Sequence, residues 1–255
     1  MRLSRVLWLP LVQIFMYWGV LGLVAPGPCA AAGTAPPAAA TPGPAPGPTV
    51  AVLYFDYAGK DEQLGVLRKG LAQILTSDLS SVQGVRLVER TRLEEVLAEL
   101  KLNHSPQIDP TSAARVGKLL GAQYLVMGGY FDLMGMLRAD ARVVEVETGR
   151  VIQSVGATGK PGDFLSLEQK LSEDLGRVLA LRVPAAAAER GPEATARRRV
   201  RPPAQLRVQT AVRYARALDA LDHGDKSTAR TELSAVVKEQ PDFKLASLDL
   251  DRLMM

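Results

Sequence analysis

Residues 109–158 read DPTSAARVGKLLGAQYLVMGGYFDLMGMLRADARVVEVETGRVIQSVGAT, and within them the hydrophobic period changes. Asp109-Pro110 opens a helix, with proline in the first turn, where its missing N–H costs nothing. Ala113, Val116, Leu119 and Leu120 follow at helical spacing, and Gly121 stops the run. From Tyr124 the period drops to two. Tyr124–Phe131 and Arg138–Val146 read as strands, with Met134-Gly135 as the tight turn between them. Glu147-Thr148-Gly149 is a second turn, and Arg150–Thr158 reads as a third strand. A helix followed by three consecutive strands with short turns predicts an antiparallel meander.

Upstream, Val50–Phe55 is a nearly continuous apolar run ending at Asp56, the pattern of a strand buried on both faces. Residues 61–82 place Leu64, Leu67, Leu71, Ile74, Leu75 and Leu79 on one helical face, and Gly84 closes that helix. Val85–Glu89 alternates as a half-buried strand. Thr91 with Glu94 three residues on reads as a capping box for a helix that buries Leu93, Val96, Leu97 and Leu100. Downstream, Phe164–Leu181 carries Leu165, Leu167, Leu171, Leu175 and Val178 at helical spacing. The order β-α-β-α-α-β-β-β-α predicts an α/β domain, residues 49–183, with a mixed sheet, an antiparallel meander and helices packed on it.

The flanks read differently. Arg2 and Arg5 precede an apolar run, Val6–Val24, and the small-residue exit Cys29-Ala30-Ala31-Ala32-Gly33. This is the layout of a signal peptide over residues 1–32, with Ala30 and Ala32 suited to a peptidase. The run is long for such a segment, so retention as an anchor is the rival reading. Cys29 is the only cysteine, which excludes an intrachain disulfide. Pro28 before it does not suit a lipid-attachment box, and the preferred reading is an incidental cysteine. Residues 33–48 form a Pro/Ala linker, extended rather than folded. Residues 184–205 form a second, basic Pro/Ala linker with Arg197-Arg198-Arg199-Val200-Arg201, read as a solvated tether.

Residues 206–255 carry three helical stretches, Val208–Leu221, Ser227–Glu239 and Leu245–Leu253. Gly224, Ala229 and Pro241 stand where a tetratricopeptide repeat has its turn glycine, packing alanine and closing proline. The aromatic and glycine of the first repeat helix are missing, with residues such as Arg213 and Ala217 instead, so a plain helical hairpin is the alternative. One repeat cannot bury its own face, so this piece is expected to pack on the central domain, a second copy or a partner.

The charges exclude one class of function. Residues 49–183 hold 16 Lys and Arg against 17 Asp and Glu, so the domain has no net basic character for binding nucleic acid. Catalytic signals are equally sparse. His104 and His223 read as surface residues without metal-ligand spacing. Gly156-Ala-Thr-Gly-Lys160 lacks the spacing and the Ser/Thr of a phosphate loop and reads as a turn. Gly128-Gly129 reads as a bulge or a point of close packing. Asp56 sits at a strand end, a favoured place for a site, without a partner base or nucleophile. No catalytic, cofactor-binding or metal-binding residue is assigned, no cofactor is expected, and the chain does not read as an enzyme.

The stretches VAVLYFDY (50–57), VRLVERTRLEEVLAELKL (85–102), DPTSAARVGKLLGAQYLVMGGY (109–130) and ARVVEVETGRVIQS (141–154) together resemble the CsgG/FlgO family of bacterial envelope proteins, over roughly residues 49–180. The resemblance implies a periplasmic module with protein partners in the envelope. A CsgG channel also needs two long membrane hairpins, emerging where this chain has Phe131–Leu137 and Gly159–Asp163. A membrane strand takes about 9–11 residues, so neither place has room. The expectation is therefore a non-catalytic periplasmic assembly or scaffold protein of the CsgG type, lacking the channel's hairpins. Outer-membrane association stays open. The alternatives are an LpoB-like regulator of a cell-wall synthase or a component of a curli- or flagellar-type secretion assembly. At most a weak homo-oligomer is expected.

Overall fold

In the computed structural model, residues 47–102, 108–184 and 206–255 are described. The signal peptide with Cys29, nearly all of the first linker, His104 and the Arg197–Arg201 run lie outside the described residues.

The strands are β1 (Thr49–Val52), β2 (Asp56–Tyr57), β3 (Arg86–Leu87), β4 (Tyr124–Leu133), β5 (Met136–Glu145) and β6 (Val151–Gly159). The helices are α1 (Glu62–Gly65), α2 (Leu67–Leu79), α3 (Arg90–Glu99), α4 (Pro110–Leu119) and α5 (Phe164–Ala180), followed by α6 (Val208–Asp222), α7 (Lys226–Glu239) and α8 (Lys244–Met254). A short 3-10 turn, Pro161–Asp163, leads into α5. The sheet runs β3-β1-β4-β5-β6, with β2 also on β4. β1 is parallel to both β3 and β4, whereas β4, β5 and β6 form the antiparallel meander. The mixed α/β class and the meander follow the sequence pattern.

Burial alternates along β5. Leu137, Ala139, Ala141 and Val143 are buried, while Arg138 and Arg142 are exposed. The buried set faces α5, which packs on β5 and β6, with α2 beside it against β1. On the other face α4 lies close, and a Cβ on Gly117 would come within 2.7 Å of Val146 and 3.2 Å of Leu125. With helices on both sides, Val50, Ala51 and Val52 have no solvent face, which is why that strand is apolar throughout.

Three local expectations differ. The helix expected over 61–82 is two helices broken at Val66. The cause is Tyr130, whose hydroxyl donates to the Leu64 carbonyl at 2.5 Å and receives the Arg68 amide, replacing a rung of the helical ladder. The capping box at Thr91 does not form. α3 begins at Arg90 with Glu89 before it and no side-chain cap, because the Glu94 carboxylate accepts from the Tyr54 hydroxyl instead. Asp109, by contrast, caps α4 as expected, accepting from the Thr111 and Ser112 amides at 2.9 and 3.1 Å. Gly156–Gly159 is not a turn but the end of β6, with Gly159 opposite Leu137. Of the bulge and the close packing that Gly128-Gly129 left open, the second holds, since the ladder is unbroken there. The irregularity lies at Val143/Val144, and Gly128 marks close packing, since a Cβ there would sit 2.1 Å from the Asp140 carbonyl oxygen.

Glu168 on α5 is fully buried, and neither of its carboxylate oxygens meets a hydrogen-bond donor. Its acidic neighbour is Asp78 on α2. Burial and then this proximity push Glu168 well above the usual carboxylate range, and burial lifts Asp78 to about 6. Both pKa values are raised by folding. The stability the pair supplies is therefore complete below the unfolded carboxylate range, near pH 4, and is lost as pH rises through about 6 and beyond. Glu168→Gln is expected to raise the unfolding free energy at pH 8 by ~1–2 kcal/mol and to leave it nearly unchanged at pH 4. Urea titrations at the two pH values check this. Equal effects at both would remove the titration as the cause.

Candidate interaction site

The C-terminal helices and the α/β sheet meet along α2. Gly70 of α2 lies under α6, where a Cβ would come 2.9 Å from the Ala215 Cβ and 3.3 Å from the Ala211 carbonyl oxygen. Three small residues thus let the two helix backbones approach closely, and Ala211, Tyr214, Ala215 and Leu218 are fully or almost fully buried there or against the following helices. The segment packs on the central domain, one of the surfaces the sequence left open to it. α6 and α7 form a hairpin through Gly224, at φ +75°. Ala229 is fully buried between them, and α7 ends at Glu239 just before Pro241. Tyr214 is sealed by α8 and its approach. Its hydroxyl donates to Asp249 at 2.7 Å, and Phe243 meets its ring edge-on at 5.0 Å.

At Lys69, next to Gly70 on α2, the same seam is charged. The Lys69 ammonium donates to Asp219 and Asp222 of α6, each at 2.8 Å, and lies 3.4 Å from Glu94 of α3. Arg90 pairs with Asp222 from the other side. Tyr54 closes the group, with its hydroxyl on Glu94 and its ring 5.6 Å from the Lys69 ammonium. Burial works against the Lys69 charge, but the two aspartates outweigh it and raise its pKa. Burial likewise opposes the Asp222 charge, and its hydrogen bonding to Glu94 with the Arg90 and Lys69 charges brings it below its ordinary value. Burial pushes Glu94 up, and the neighbouring Asp222 adds to this. Next to this network is a cleft of about 750 Å³, with Glu62, Glu95 and Asp219 along its rim and Leu97, Leu102 and Ile108 as apolar wall.

The second open region is the sheet face beyond α4. A groove of about 570 Å³ crosses it from Asp56 and Phe131 to Ser154 and Gly156. Asp56, the strand-end carboxylate, pairs with Arg68 at 3.4 Å, and burial raises its pKa. Its companions in the groove are Arg138, Asp140 and Arg142. The structure therefore surrounds Asp56 with cations, Arg68 in contact and Arg142 across the groove. His223 caps α6, its Nδ1 2.8 Å from the Asp219 carbonyl oxygen. No cluster of three His, Cys, Asp or Glu able to hold a metal occurs among the described residues. Sequence reasoning missed the Lys69 network altogether. Lys69, Arg90, Asp219 and Asp222 look like solvent-face charges in their own helices, and 150 residues separate the partners.

Residues 38–133 match the model of the family described as curli production assembly/transport component CsgG. The α/β fold built on that segment is CsgG-like, as the motifs implied. No curated protein matches the sequence. Among solved structures, the LpoB C-terminal domain from Salmonella enterica is 21% identical, with 45% of this chain and 83% of that one covered and a TM-score of 0.32. Lipoprotein GNA1162 from Neisseria meningitidis is 14% identical, over 44% and 79% of the two chains, at a TM-score of 0.38. The PelC dodecamer from Paraburkholderia phytofirmans is 16% identical, over 56% and 96%, at 0.32.

Two substitutions probe the seam. Lys69→Met removes the cation shared by three carboxylates and is expected to destabilise the chain by ~2–3 kcal/mol, since their desolvation then loses its compensation. Gly70→Leu, which gains helix propensity, is expected to cost ~1–3 kcal/mol by forcing α6 off α2. Equilibrium denaturation measures both. A stabilising Gly70→Leu would mean that the helices separate without loss.

Proposed function

We propose that the chain is a non-catalytic scaffold or assembly protein of the bacterial envelope, exported to the periplasm, that works by binding other envelope proteins. The observation that carries this reading is the length of the β4–β5 connection in a CsgG-like domain. Met134 and Gly135 alone join the two strands, and the left-handed φ of both is that of a two-residue hairpin turn. The β6–α5 connection is equally short, Lys160 plus the Pro161–Asp163 turn. The segment that would have to reach across a bilayer in a channel has no length to do so at either place. Among the described residues, no helix is long and apolar enough to cross a membrane. The charge-balanced domain and the pairing of Asp56 with Arg68 support binding rather than turnover.

The test is made on the full chain in its own envelope. Crosslinking in intact cells followed by purification is expected to capture one or a few envelope proteins in defined stoichiometry. A cell-wall transpeptidase among them would move the reading to a synthase regulator, and secretion components would move it to an export assembly. Planar-bilayer recording with the purified chain is expected to show no conductance. Stable unitary conductance steps would overturn the proposal.

A further inference from the structure

β6 ends the sheet. Its inner edge pairs with β5 from Leu137↔Gly159 to Val144↔Val151, and among the described residues no strand pairs with its outer edge, where the Gln153 side-chain amide donates to the Ser154 carbonyl at 3.5 Å. A free edge offers unpaired N–H and C=O groups to any extended chain. Folded proteins therefore blunt their edges with charges, proline, shortness or a cover. The opposite edge strand, β3, is two residues long. β6 has none of these protections. It runs nine residues, VIQSVGATG, with no charge and no proline, and its Val151 is 47% exposed. Charges stand only at its ends, Arg150 before it and Lys160 after it, both exposed.

The sheet face beside this edge is prepared for side chains. Across from Arg142 lies Ser154, and across from Asp140 lies Gly156, so only small residues separate the edge from the β5 cations. Arg138 holds Asp140 through two hydrogen bonds, at 2.8 and 2.7 Å. Arg142 is exposed, and its charge reaches Asp56 across the same groove. A strand added to β6 lies two strand spacings from β5, roughly 9.5 Å, a gap that a glutamate and an arginine side chain bridge together.

We propose that the outer edge of β6 binds an extended segment of a partner protein as an added strand, and that this segment has an uncharged, β-branched centre and carboxylates at its ends. Main-chain hydrogen bonds to β6 supply affinity, and Arg150, Lys160 and Arg142 select the acidic ends. A second copy of this chain is the poorer occupant. Antiparallel self-pairing centred on Val155 sets Arg150 against Lys160 of the copy at both ends, so like charges meet twice. The proposal goes beyond the envelope reading and holds wherever the partner resides.

The experiment uses the full-length chain and three synthetic peptides in fluorescence anisotropy. One alternates threonine and valine over nine residues with glutamate at each end. The second has lysine at each end, and the third is the glutamate peptide with a central proline. The glutamate peptide is expected to bind about ten-fold more tightly than the lysine peptide, and the proline peptide not at all. Arg142→Glu is expected to weaken the glutamate peptide several-fold. The double variant Arg150→Glu, Lys160→Glu is expected to reverse the preference in favour of the lysine peptide, a gain that misfolding cannot mimic. Equal binding of all three, binding of none, or an unchanged preference in the double variant overturns the proposal. Sedimentation showing a dimer of the parent chain that loses mass when β6 carries Ser154→Lys would give the edge to a second copy and overturn it as well.

Discussion

Strand β4 has to be hydrogen-bonded along both sides, and the rest of the molecule follows from how that is done. On one side it takes β1 and then β2, both parallel. On the other it takes all ten residues of β5, antiparallel. Parallel partners cannot be reached by a tight turn, so the chain must travel through helices between β1 and β4. Those helices, α2, α3 and α4, are what cover the two faces of the parallel half. The antiparallel half needs only two-residue and short turns, and its far face stays open. The asymmetry between a fully covered parallel half and a half-open meander, with its free edge at β6, is thus built into the pairing of one strand.

Helix α2 carries the second constraint. It faces the sheet with Leu71 and Leu75, α5 through its last turn, and α6 through Gly70, while Lys69 projects into the charged seam. Few residue types serve three neighbours at once. Glycine is poor in a helix interior, costing about 1 kcal/mol against alanine, and its presence in α2 makes sense only where another backbone must come close. The seam charges are partly desolvated and mutually compensated. They fix the approach of α6 geometrically and contribute little net energy beyond the apolar burial of Ala211, Tyr214 and Leu218. Buried Glu168 opposite Asp78 works against stability at neutral pH.

Much of the architecture was legible because the signals were local and periodic. Leu and Val at helical spacing marked α2, α4 and α5, and the switch to period two at Tyr124 marked the meander. Its turns were announced by Gly135 and Gly149, both at left-handed φ. The local misreadings each have a tertiary cause. The 61–82 helix breaks because a hydroxyl from β4 enters its ladder, and the Thr91 capping box fails because Glu94 has a better partner in Tyr54. Gly156–Gly159 reads as a turn by composition and is a strand because β5 lies alongside. The C-terminal helices were visible, but their docking surface was not, since Ala211 and Ala215 signal only that something comes close.

The sequence by itself determined the element types, the mixed α/β class, the short turns that leave no room for membrane hairpins, and the motifs of a CsgG-like domain. These depend on residue periodicity, on glycine and proline, and on contiguous chain length, all of which are local properties. Only the tertiary structure decided which helix receives α6, that Lys69, Arg90, Glu94, Asp219 and Asp222 form one network, and that β6 is left as a long uncharged edge. Each of these joins residues distant in the chain, or depends on which strands are missing from a neighbourhood. The free energy of such contacts belongs to pairs brought together by folding, so no single stretch of sequence carries its trace.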